Sequence, residues 1–148
     1  MNDFSFNHRS LSTRVEEYLK VKIFKGEFEG GDRVLESKIA DDLDISRAPV
    51  REAIKTLENK GLINSIARKG SFVVKYDGKD IKELYKVRIL LENEILADLI
   101  ENDKLNDNDY KKLKEKTDKM VSIASRKPLD NDQLVEIIFL DMSFHDYL

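Results

Sequence analysis

Cysteine is absent from the 148-residue chain, which excludes a disulfide framework, a thiolate metal site and a cysteine nucleophile. Such an absence suits a reducing cytoplasm. Histidine is scarce: only His8 and His145 occur, far apart in the chain, and no glycine-rich phosphate loop is present. No nucleophile–base pair or cofactor cradle can be assembled from these residues, so an enzyme is not expected. Long apolar runs are also missing. None approaches the roughly 20 residues of a membrane helix, and the opening MNDFSFNHRS lacks the apolar core of a signal peptide. The expectation is a soluble, cytoplasmic protein with no membrane partner, whose 41% hydrophobic content supports a folded core.

Positive charge is in deficit overall, with a formal net charge of −3, but it is unevenly spread. Residues 1–75 hold fourteen Lys and Arg against twelve Asp and Glu, while residues 76–148 hold twelve against seventeen. Within residues 46–75 seven cations (Arg47, Arg51, Lys55, Lys60, Arg68, Lys69, Lys75) face only Glu52 and Glu58. A local basic surface on an acidic protein points to a particular anionic partner.

Periodicity then organises the chain. Thr13-x-x-Glu16 reads as a capping box ahead of Leu11, Val15, Leu19 and Ile23, a helix expected to end near Gly26. After the Gly30-Gly31 turn, ESKIADDL fits a short helix burying Ile39, Ala40 and Leu43. Ser46 is the expected N-cap of the next, with Pro49 tolerated in its first turn. Val50, Ala53, Ile54 and Leu57 follow at helical spacing, and Gly61 supplies a left-handed stop. LINSI and SFVVKY then read as two strands joined by the ARKG turn. Three helices and a hairpin, with the second and third helices separated by only Asp44 and Ile45, give the order of a winged helix-turn-helix.

The remainder reads as helical. Asp80-x-x-Glu83 is expected to cap a helix carrying Leu84, Leu91, Ile95 and Leu99; Tyr110, Leu113, Met120, Val121 and Ala124 line the next, with its lysines solvated. From Leu134, LVEIIFLDMSFHDYL is apolar on nearly every side and needs more cover than two helices give, from further helices or from another subunit. The predicted fold is mainly α: a winged helix-turn-helix over 1–75, a linker at 76–79, and a partial all-α bundle over 80–148.

With Val50, Ala53, Ile54 and Leu57 inward, Arg47, Arg51 and Lys55 align at i, i+4, i+8 on the outer side of the third helix. A helix fits the major groove of duplex DNA, where arginine donates two hydrogen bonds to guanine O6 and N7. Ser46 and the first-turn N–H groups can hold a phosphate. Arg68 and Lys69 at the hairpin tip can reach the minor groove or backbone, with Gly70 allowing close approach. A basic helix face is ordinarily only solvated. Here the cations gather at the start of the second helix of the pair and again on the next turn, which favours DNA.

Residues 10–75 closely resemble the DNA-binding domain of the GntR family of bacterial transcription regulators, most specifically through SRAPVREA, KGLI and ARKGSFVV. By that resemblance Ser46, Arg47, Ala48, Arg51, Lys55, Arg68, Lys69 and Gly70 form the DNA-contacting set, with Arg47 and Arg51 mainly reading bases. Gly30-Gly31 replaces the family's usual Pro-Gly, a change expected to affect only turn stiffness. Ser37 stands where some members carry a DNA-contacting arginine. RILLENEILA (88–97) and DMSFH (141–145) resemble the start of the helical effector domain of the FadR subfamily, the FCD type.

The resemblance implies a homodimer on a palindromic operator, controlled by a small effector. Asp141 and His145, at i, i+4, are a workable pair of metal ligands but two are too few. In complete FCD-type domains two further histidines finish a divalent metal site, such as one for zinc, whereas here the other histidine is His8. No cofactor is required by the reading. Arg88 and Glu92 fit an ordinary intrahelical ion pair, although they share a stripe with Leu84, Leu91 and Ile95, and the resemblance places an arginine near this position toward a carboxylate effector. The alternative for the whole chain is a winged helix that binds acidic protein surfaces without specific DNA recognition.

Overall fold

The computed structural model describes residues 10–148. They divide at Lys75 and Tyr76 into two compact units.

The first unit opens with α1 (Leu11–Phe24). Its N-cap is Ser10, whose hydroxyl accepts from the Thr13 amide at 3.1 Å, so the expected Thr13–Glu16 box does not form. Glu16 is turned inward and spent on another task. Its carboxylate meets Lys20 Nζ at 2.6 Å and Lys60 Nζ at 2.7 Å, with Glu16 and Lys20 both among the buried residues. The carboxyl loses hydration there, which alone would raise its pKa, yet the hydrogen bonds and charges of the two lysines outweigh this and hold it below the ordinary value of 4.5.

Short helix α2 (Glu36–Asp42) and α3 (Arg47–Asn59) follow, joined through Asp44 at φ 51°. Val50, Ala53, Ile54 and Leu57 are buried as their spacing predicts, and they meet Val15 and Leu19 of α1 and Ile39 and Ala40 of α2 in one core. Gly61, at φ 73°, ends α3. The wing is a three-stranded antiparallel sheet in the order β1 (Arg33–Val34), β3 (Gly70–Val73), β2 (Ile63–Ile66). Its β2–β3 register pairs Ile63 with Val73 and Ile66 with Gly70. Strand β1, absent from the sequence expectation, pairs Arg33 with Phe72 and Val34 with Ser71.

Gly30 does more than loosen a turn. A Cβ added there would stand 2.9 Å from Lys75 Cα, so the backbone at residue 30 passes too close to the end of the wing for a side chain.

The second unit is three helices: α4 (Gly78–Glu101), α5 (Asp107–Ala124) and α6 (Asn131–His145). Helix α4 starts two residues before the expected Asp80. Asp77 is its N-cap and Asp80 the third residue of a reciprocal capping box, so Gly78 and Lys79, expected in the linker, are helical. Similar boxes at Asn106–Asp109 and Asp130–Gln133 begin α5 and α6. Against α6, the inner stripe of α5 is Leu113, Lys116, Met120 and Ile123, while Tyr110 and Val121 are exposed. Lys116 turns in because its ammonium donates to the Ser143 hydroxyl on α6.

No residue of α4 is buried. Leu84 and Leu91, which the sequence assigns to an inner stripe, are more than half exposed, as are Leu90 and Ile100, so apolar surface of α4 lies open.

Candidate functional site

Helix α3 presents two faces of opposite character. Its apolar stripe is closed within the core, and Arg47, Ala48, Arg51 and Lys55 are exposed on the other side. Ser46 occupies the N-cap position with extended backbone, but its side chain makes no cap hydrogen bond. The wing tip holds exposed Arg68 and Lys69, with Arg68 at φ 64° and Gly70 at φ 107° closing the turn. All eight sequence-predicted residues thus lie in the first unit, on α3, its N-cap and the wing tip.

Two further charged residues belong to this surface and were not foreseen. The Arg33 guanidinium lies over Gly70, its Nε 3.1 Å from where a Cβ would sit, so glycine at 70 serves both the positive φ and the seating of a third wing cation. Glu36, in the first turn of α2, accepts Arg51 Nη2–H at 2.9 Å and Nε–H at 3.2 Å. The Arg51 side chain nevertheless keeps 69% of its exposure. No local sequence signal joins these partners, since they come from different helices.

The second unit gathers the other predicted residues. Arg88 on α4 donates to Glu92 and, through Nη2, to both carboxylate oxygens of Asp141 at 3.0 Å. The same Nη2 also meets His145 Nε2. His145 also approaches Glu92 through Nδ1 at 3.1 Å and Asp141 through Nε2 at 3.3 Å. The Asp141 hydrogen bond, and then Glu92, raise the Arg88 pKa further despite partial burial. These side chains line a cleft of about 540 Å³ with Leu84, Val87, Leu91, Ile95 and Met142.

Asp141 and His145 therefore face a cation supplied by the chain itself. Among the described residues no group of three or more His, Cys, Asp or Glu side chains could hold a metal ion, and the donor set present does not fit a divalent cation.

With this geometry established, the comparisons with known proteins are informative. Residues 11–73 match the family model of the bacterial regulatory proteins of the gntR family, and the first unit is a GntR-family winged helix-turn-helix. The chain is 34% identical over 133 residues to the uncharacterised HTH-type transcriptional regulator YdhC of Bacillus subtilis (strain 168), covering 88% of this chain and 55% of that one. It is 37% identical over 94 residues to the gluconate operon transcriptional repressor of the same organism, covering 64% and 38%. A transcriptional regulator GntR from Rhodococcus sp. RHA1 superposes with a TM-score of 0.67 at 27% identity, over 94% of this chain and 63% of that one. The chain spans about half the length of the YdhC relative and less of the gluconate operon repressor. Among the described residues no helix is long and apolar enough to cross a membrane.

Proposed function

We propose that the chain is a cytoplasmic, sequence-specific DNA-binding transcription regulator that grips a palindromic operator as a homodimer. The observation that carries this reading is the division of α3: one side closed in a core, the other an exposed row of Arg47, Arg51 and Lys55 beside a cationic wing. A helix seated in the major groove by such a row reads bases through its arginines and registers itself through phosphate contacts. The matched relatives with regulatory names support the same reading.

The test is binding of the full chain to duplexes from its own promoter region, read by fluorescence anisotropy against scrambled duplexes. Arg51→Ala is expected to weaken operator binding by about 1–3 kcal/mol and to relax preference at one base pair. Equal binding of operator and scrambled DNA by the wild type would favour a protein-interaction module instead.

We further infer that the second unit begins an FCD-type effector domain of the FadR subfamily. Its cleft has mainly apolar walls, with polar side chains from the Arg88 cluster and Asp146, and the proposed occupant is a small carboxylate that would compete with Glu92 and Asp141 for Arg88. A thermal-shift screen of small mono- and dicarboxylates should give a stabilising hit that is lost in Arg88→Ala; a hit of equal size in that variant would remove Arg88 from the ligand site.

A further inference from the structure

Arg51 reaches Glu36 side-on. Its Nε–H lies 3.2 Å from each carboxylate oxygen and its Nη2 lies 2.9 Å from Oε2. A guanidinium carries five N–H donors in a fixed plane. The side-on contact uses the Nε–H and one proton of Nη2, leaving the far edge, with two N–H on Nη1 and one on Nη2, unspent. That far edge is the one able to give parallel hydrogen bonds to two acceptors on a base. The carboxylate comes from α2 and the guanidinium from α3, so the contact also ties the plane of the side chain to the scaffold and not merely to its own helix.

Two consequences follow. A free arginine on a helix surface samples many rotamers and contacts phosphate as readily as base; one clamped along its inner edge has already lost that freedom. A negative charge held against it also makes phosphate a poorer alternative partner. We propose, on the basis of the DNA-binding reading above, that Glu36 is the positioning residue for Arg51 and sets sequence discrimination more than affinity. It aims the guanidinium edge at a base and discourages non-specific contact.

The experiment uses the full chain and a pool of duplexes with randomised cores. Sequences selected by the wild type define the preferred site, and the selection is repeated with Glu36→Gln, which keeps the shape and removes the charge, and with Glu36→Ala. Both variants are expected to flatten the base preference at one pair per half-site and leave the others intact. The affinity ratio of preferred to scrambled duplex should fall roughly tenfold, the order of one good bidentate base contact. In an Arg51→Ala background Glu36→Gln should change neither quantity. Thermal unfolding of each variant within a few degrees of the wild type separates this effect from loss of fold.

A preference profile unchanged in Glu36→Gln would overturn the inference. So would a variant that binds preferred and scrambled duplexes more tightly by the same factor, because Glu36 would then be a competitor for Arg51 and not its guide. If the wild type itself selects no sequence, the DNA-binding reading fails and takes this inference with it; discrimination that survives Glu36→Gln sinks the inference alone.

Discussion

Glu16 binds two lysines with one carboxylate, Lys20 buried and Lys60 half-exposed, and the balance at Lys20 is unforgiving. Breaking the group leaves Lys20, whose side chain is 9% exposed, with an unpaired charge, and such losses cost more than the pair contributes. Glu16→Gln is expected to destabilise the first unit by about 2–4 kcal/mol at pH 7, measured by urea unfolding. The pH dependence has a definite sign. The folded-state carboxyl is held below its ordinary value of 4.5, so its contribution is complete above that pH and is lost as pH falls through the lower folded value. Wild type and variant should therefore converge below about pH 4.5; a gap that stays constant to pH 3 would mean that the lysines do not hold the charge. Glu16 also shows why residue roles resist reading from sequence. A Glu three residues after Thr13 has the spacing of a cap, and only the fold reveals that Lys60 waits for it.

At the level of elements, legibility follows periodicity. Helix α3 was readable end to end because Val50, Ala53, Ile54 and Leu57 repeat at one spacing and Gly61 stops them. Strand β1 was not, since two residues carry no pattern and their partner lies in β3. Helix α5 was misaligned because Lys116 and Ile123, not Val121 and Ala124, face α6, and that choice belongs to the neighbour. In the second unit each local pair was visible, Arg88 with Glu92 and Asp141 with His145. Their fusion into one cluster was not, because α4 and α6 contribute separately. Helix α4 also carries a prediction. Its apolar surface includes Leu90, 70% exposed and outside the residues lining the cleft. If a second copy covers that surface, Leu90→Glu should lower the solution mass toward that of a monomer in light scattering. An unchanged dimeric mass would assign the contact elsewhere.

For the molecule as a whole, charge is partitioned between the two units. On the proposed DNA-binding reading, cations other than the base-reading arginines act uniformly on any duplex. Lys55→Ala and Lys69→Ala should each weaken preferred and scrambled DNA alike and reduce the slope of log affinity against log salt by about one, measured between 50 and 200 mM salt, figures on the scale where such slopes are resolved. A slope that does not move would place that lysine away from the backbone. The excess of acidic residues in 76–148 matters to the same encounter. On the same reading, the net-negative residues 76–148 add a repulsion that opposes the attraction of the α3 ridge for a polyanion. Raising the ionic strength screens both terms, so the attraction and the opposing repulsion fade together.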